Sequence, residues 1–163
     1  MKAGIALGSN LDDRLENLRT ARDEVARLGS NILCSRIYET EPVDCEPGAR
    51  EFLNAAMEIE YAGPAESLLA DLRAIERKLG RPSRRAKNIS RTIDLDLLYF
   101  GDMQMDSPEL KLPHPRLHLR RFVIEPLRDI RPDLILPGQT KSIARLFDGL
   151  PPEPRAAIFT ESL

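Results

Sequence analysis

Apolar positions alternate from the start of the chain: Ala3, Ile5 and Leu7 fall on one side of an extended segment, which predicts a strand over Lys2 to Gly8. Gly8-Ser9-Asn10 breaks that alternation. The period then changes. Leu15, Leu18, Ala21, Val25 and Leu28 recur at helical spacing, with Asp13 and Glu16 placed to cap the first turn and Gly29 to stop the helix. Ile32 to Tyr38 reads as a second strand, and the proline- and acid-rich stretch from Glu39 to Arg50 as a mobile loop. From Asn54 to Tyr61, Ala55, Met57, Ile59 and Tyr61 alternate with Ala56, Glu58 and Glu60, predicting a strand with one face on a core and the other in water. Pro64 suits a first helical turn, and Ala65, Leu68, Leu69, Leu72, Ile75 and Leu79 form an apolar stripe that ends at Gly80. Thr92 to Phe100 is the last clear strand. Gly101-Asp102 is expected to turn it into a weaker partner near Met103 to Met105. Short helical patterns follow near Phe122 to Ile130 and Ser142 to Leu150.

The order strand, helix, strand, strand, helix, strand predicts an α+β fold of the ferredoxin-like, split βαβ kind. Its sheet would be mostly antiparallel, with the two main helices on one face and the other face free for ligands. A length of 163 residues suits a single domain spanning 1–163. Apolar residues make up 42% and charged residues 31%, the balance of an ordinary soluble globule. Cys34 and Cys45 form no CxxC pair or disulfide framework, and Met1 to Leu7 is too short an apolar run for a membrane span, so a cytoplasmic location is expected. A net charge of −2 disfavours a general nucleic-acid binder.

The chemistry concentrates around the last strand. In Arg91-Thr92-Ile93-Asp94-Leu95-Asp96-Leu97-Leu98-Tyr99, the residues Ile93, Leu95, Leu97 and Tyr99 are expected on one face, which sends Asp94 and Asp96 to the opposite one. Their α-carbons would be about 6.6 Å apart, close enough for both carboxylates to serve one or two hard cations. Like charges side by side on a strand repel, and a cation removes that conflict; pairing with basic neighbours or plain solvation would also do so. Mg²⁺ commonly takes one or two carboxylates and completes its shell with substrate phosphates. Arg77, Lys78, Arg81, Arg84, Arg85, Lys87 and Arg91 precede this strand, while Lys111, Arg116, Arg120 and Arg121 follow it together with His114 and His118. Arginine forks suit phosphate oxygens, although a charge run is often just a solvated face. No GxxxxGK[ST] or GxGxxG motif is present, so side chains would have to hold any phosphates.

At these residues the chain resembles the 6-hydroxymethyl-7,8-dihydropterin pyrophosphokinase family. The markers are Gly8-Ser9-Asn10-Leu11, Tyr38-Glu39-Thr40, Phe52-Leu53-Asn54-Ala55, Ile75-Glu76 with Gly80-Arg81, the run from Arg91 to Asp96, and Pro113-His114-Pro115 with Arg120 and Phe122. The resemblance implies that the terminal two phosphates of ATP are moved to the hydroxymethyl group of 6-hydroxymethyl-7,8-dihydropterin for folate synthesis, with AMP released. It implies Asp94 and Asp96 as ligands of two Mg²⁺ ions, and Arg81 and Arg91 as the catalytic cations. Arg73, Glu76, Lys87, Lys111, His114 and Arg120 would meet ATP. Thr40, Val43, Phe52, Asn54 and Phe122 would meet the pterin, by stacking and a few directed polar groups. The implied partners are these two small molecules, with no nucleic acid or membrane and a monomeric chain. Two departures stand out: Asn88-Ile89-Ser90 occupies the place where many members carry a Trp-Gly-Pro, and Ser83 the place of a second arginine, with Arg84 and Arg85 adjacent. The alternatives are a small RNA-binding module, which would need the aromatic strand motif this chain lacks, and a metal- or nucleotide-binding homologue without pterin turnover.

Overall fold

The structure, a computed structural model, describes residues 1–42, 47–80, 92–154 and 156–163. Val43, Cys45, Arg81, Ser83, Arg84, Arg85, Lys87, Asn88, Ile89, Ser90 and Arg91 lie outside the described residues, and with them both expected catalytic cations.

The chain opens with strand β1 (Lys2–Ser9), helix α1 (Arg14–Ala26) and strands β2 (Ser30–Cys34), β3 (Ile37–Thr40) and β4 (Phe52–Glu60). Helix α2 (Ala65–Lys78) leads to β5 (Asp94–Phe100), and the short strands β6 (Met105–Asp106) and β7 (Lys111–Leu112) follow. A single 3-10 turn at Leu117–Leu119, helices α3 (Arg121–Ile130) and α4 (Ile143–Asp148), and strand β8 (Ala156–Thr160) complete the path. The main sheet runs β5-β1-β4-β3-β8, with β2 also on β4, and every pairing in it is antiparallel. This is the expected α+β architecture.

Local chemistry explains the helix starts. Asp13 accepts the Glu16 N–H at 3.1 Å, satisfying one of the orphan donors of the first turn of α1. Pro64 sits directly before α2, where a missing N–H costs nothing. Leu18, Ala21 and Val25 of α1 and Leu68, Leu72 and Ile75 of α2 join Ala3, Ile5, Leu7, Ala55, Met57, Ile59, Leu95 and Leu97 in one buried cluster on the first sheet face.

The second face differs from expectation. It carries a smaller core in which Ala56, Leu98 and Tyr99 of the sheet pack with Val123, Ile124 and Leu127 of α3 and Ile143 of α4. Ala56 and Glu58, expected in water, are therefore buried. The hydrophobic effect accounts for this: the apolar residues of α3 and α4 need a surface, and the face left by α1 and α2 supplies it. Only part of the second face stays open, and that part holds the candidate site.

Four further elements depart from the pattern in the sequence. Ile32 to Tyr38 is two strands, because the chain bends at Ser35, whose hydroxyl accepts the Ala56 N–H at 2.9 Å in place of a ladder bond. Met103 to Met105 does not pair with β5; β6 pairs with β7, closing a separate two-stranded ribbon. Strand β8, which pairs with β3, carries five residues after a proline-rich stretch, too short for alternation to announce it. Tyr99 faces the second side, not the side of Leu95 and Leu97, because the β1–β5 register shifts between Gly4 and Ile5.

Candidate active site

β1 carries small residues on its second face: Gly4, Ala6 and Gly8. Each does something different. Gly4 makes room for the Tyr99 ring, Ala6 packs against the second core, and Gly8 lies between Asn54 of β4 and Asp94 of β5. A Cβ on Gly8 would stand 3.2 Å from Asn54 Oδ1 and 3.9 Å from Phe52 Cδ1, so the bare backbone lets an amide and an aromatic ring lie close beside β1.

The Asn54 amide is tied down. Asn54, 5% exposed, donates through Nδ2 to Thr40 Oγ1 at 2.7 Å, which orients its amide. Thr40 stands opposite Phe52, and Tyr38 opposite Asn54. Below them the Tyr38 hydroxyl donates to both Asp129 oxygens, at 2.8 and 2.9 Å, and Arg36 grips the same carboxylate with Nε at 3.0 Å and Nη2 at 2.6 Å. Burial works to raise the Asp129 pKa, but the hydrogen bonds from Arg36 and Tyr38 outweigh it and hold the group below its ordinary value. α3 is thereby fastened beneath the strand that carries Thr40.

Across Gly8, β5 alternates as expected at its start: Asp94 and Asp96 are half-exposed, while Leu95 and Leu97 are buried. The Leu95 N–H between the aspartates donates to Glu76 Oε1 at 2.9 Å, so Glu76, 4% exposed, binds α2 to the strand. Arg120 Nη1 lies 3.8 Å from Asp96 Oδ2, and its guanidinium stands 5.5 Å from the centre of the Phe122 ring. The His114 N–H donates to Leu98 O at 2.8 Å, which fixes the Pro113-His114-Pro115 turn against β5. His114 Nδ1 accepts the Arg116 N–H at 3.2 Å, so the neutral ring carries its proton on Nε2 and can offer it to an anion. Burial lowers the His114 pKa; Asp96 opposes the shift, and Arg120 and Arg116 reinforce it.

The expected site residues thus fall into groups. Thr40, Phe52 and Asn54 meet beside Gly8, and Asp96, His114 and Arg120 meet on the β5 side. Phe122 packs half-buried on the second core, on the same side of the sheet. Arg73 and Lys111 make other contacts: Arg73 Nη2 reaches Glu109 O at 3.5 Å, and Lys111 pairs with Asp106 on the β6–β7 ribbon. The anchors that the sequence did not reveal are Arg36 and Asp129. Tyr38 and Asp129 are separated by 91 positions, and no local pattern links them.

Among the described residues no three His, Cys, Asp or Glu side chains converge on one metal position. Two carboxylates on one strand face, beside an arginine, still suit a hard cation that takes the rest of its shell from phosphates. The oxygen-only donor set fits Mg²⁺ and disfavours zinc.

Fold and site together define a class: an α+β sandwich that can grip a polyphosphate-bearing ligand with carboxylates and cations instead of a glycine-rich loop. The comparisons narrow it further. A family model described as 7,8-dihydro-6-hydroxymethylpterin-pyrophosphokinase matches residues 4–132, and this chain belongs to that family. The 2-amino-4-hydroxy-6-hydroxymethyldihydropteridine pyrophosphokinase of Bacillus subtilis is 42% identical over 133 residues, covering 78% of this chain and 77% of the relative. The protein of the same name from Pseudomonas aeruginosa is 38% identical over 135 residues, 82% of each chain. Among solved structures, the wild-type HPPK-DHPS of Plasmodium falciparum with pteroate matches with a TM-score of 0.73 at 13% identity, a likeness of fold alone. The match covers 90% of this chain and 44% of that longer one.

Proposed function

We propose that this chain transfers the terminal pyrophosphoryl group of ATP to the hydroxymethyl oxygen of 6-hydroxymethyl-7,8-dihydropterin and releases AMP, a step of folate synthesis. The observation that carries the reading is the placement of Asp94 and Asp96 on the open part of the second face, across Gly8 from the oriented amide of Asn54. The aspartate side of Gly8 suits a polyphosphate, the Asn54 side a flat heterocycle with a polar edge.

Asn54, held by Thr40, meets the polar edge of the pterin, and the faces of Phe52 and Phe122 flank its ring. Asp94 and Asp96 would hold two Mg²⁺ ions, which would neutralise the triphosphate and the charge that develops on transfer. His114 donates Nε2–H to a phosphate oxygen, and Arg120 adds a fixed positive charge. The family resemblance assigns Arg73, Lys87 and Lys111 to ATP and Val43 to the pterin, while Glu76, assigned to ATP on the same ground, is buried and holds the Leu95 N–H between the two aspartates. Arg81 and Arg91 supply the transition-state charge. The pterin oxygen attacks the β-phosphorus, the bond from that phosphorus to the oxygen on the α-phosphorus breaks, and AMP departs with the electron pair. The hydroxyl proton leaves to solvent or to a phosphate oxygen. Positioning and electrostatics supply most of the acceleration in such transfers, so no dedicated base is assigned.

The chain works as one domain over 1–163, as a monomer in the cytoplasm; among the described residues no helix is long and apolar enough to cross a membrane. The test is direct. Incubated with ATP, Mg²⁺ and the reduced pterin alcohol, the protein should form AMP only when all three are present. ATP left intact under those conditions would refute the activity.

A further inference from the structure

Where β1 passes from Ile5 to Gly4, the partner on β5 jumps from Leu97 to Tyr99, leaving Leu98 as the extra residue of a β-bulge. The bulge reverses the phase of the strand. Before it, Asp94 and Asp96 face the second side; after it, Tyr99 faces that side too, and Phe100 returns to the first core, where the Tyr61 ring meets it edge-on at 6.4 Å. With an unbroken period of two, a strand anchored by Tyr99 and Phe100 where they now sit would turn both aspartates into the apolar core under α1 and α2.

Specific groups hold the bulge. A Cβ on Gly4 would stand 2.0 Å from Tyr99 Cε1, so the ring can lie there only because residue 4 has no side chain. The Tyr99 hydroxyl donates to Glu58 Oε2 at 2.6 Å, and Arg131 Nε lies 3.4 Å from the same oxygen. Burial, and then the bond to Glu58, push the phenol far above its ordinary pKa, so it remains a donor at any working pH. The bulged residue also serves the site directly, because the Leu98 carbonyl is the acceptor that holds the His114 N–H at 2.8 Å.

We infer that Tyr99, seated against Gly4 and tied to Glu58, is a positioning residue for the metal and triphosphate side of the site. It sets the strand phase that presents Asp94 and Asp96, and through Leu98 it sets the place of His114. The inference rests on the reading of the two aspartates as metal ligands.

Mn²⁺ affinity, read by electron paramagnetic resonance with α,β-methylene ATP present, tests it on the full chain, with circular dichroism as the check of folding. Gly4→Ala should weaken Mn²⁺ binding about tenfold or more, in the range seen when supports behind metal ligands are removed, and Tyr99→Phe about threefold or more, the loss expected for one hydrogen bond. Glu58→Gln keeps an oxygen that accepts the phenol and should stay within about twofold of wild type. If Gly4→Ala does not fold, Tyr99→Phe, which keeps the ring, decides the matter. Folded variants that melt earlier yet bind Mn²⁺ as wild type does would overturn the inference and leave Tyr99 a packing residue. A wild-type chain that fails to bind Mn²⁺ with the nucleotide would instead overturn the aspartate reading, and the inference with it.

Discussion

Asp94 and Asp96 carry the functional reading, and single changes separate their role from folding. Both are half-exposed at one end of β5, so truncation leaves the first core intact. Asp94→Ala and Asp96→Ala should each lower turnover on the order of a hundredfold or more, with melting temperatures near wild type, measured as AMP formation beside a thermal scan. Asn54 makes a different prediction. Its amide is buried and aimed by Thr40, so Asn54→Ala should raise the KM for the pterin about tenfold with a smaller effect on the KM for ATP, because a directed hydrogen bond is lost on one side only. Arg91→Ala should reduce kcat more than pterin affinity if that cation acts in the transition state; steady-state kinetics against pterin binding would check it. At this scale the sequence was most informative about β5 before its bulge. Two aspartates two positions apart, with one leucine between them, share a face on a strand, and β5 kept that geometry.

At the scale of elements, α3 and α4 make the second face a partly covered surface. Ile124 of α3 is wholly buried there, and Ile124→Ala should cost about 3 kcal/mol, read from the shift in the urea midpoint. At the junction between the two helices two cations flank an aromatic ring: Phe147 of α4 lies between Arg128, 3.8 Å from its ring centre, and Arg121, 4.3 Å away. This contact steadies the N-terminal end of α3, next to which Arg120 stands and within which Phe122 lies. The short helical patterns behind α3 and α4 were readable as periodicity. Their destination was not, because an apolar stripe states only that a helix must be buried, and which sheet face receives it depends on what α1 and α2 have already covered. The same holds for β8, whose five residues acquire meaning only from the free edge of β3.

For the whole molecule, the link from Asp129 through Arg36 and Tyr38 joins α3 to the strand that carries Thr40, and it makes stability depend on pH. The folded-state pKa of Asp129 lies below its unfolded value, so its contribution is present in full above the unfolded value and is lost as pH falls through the folded one. Asp129→Asn should therefore be less stable than wild type at neutral pH, and the gap should narrow as the solution is acidified below pH about 4, followed by chemical denaturation at several pH values. The overall class, the two large helices, the first core and the aspartate strand were all legible in the sequence by itself, because each depends on a local period that a short window contains. Only the tertiary structure decided the rest: the bulge that turns Tyr99, the burial of Glu58, the anchoring of Asp129 and the half-covered second face. Each of these joins residues far apart in the chain, and such pairings are set by which surfaces remain unfilled once the local elements have packed.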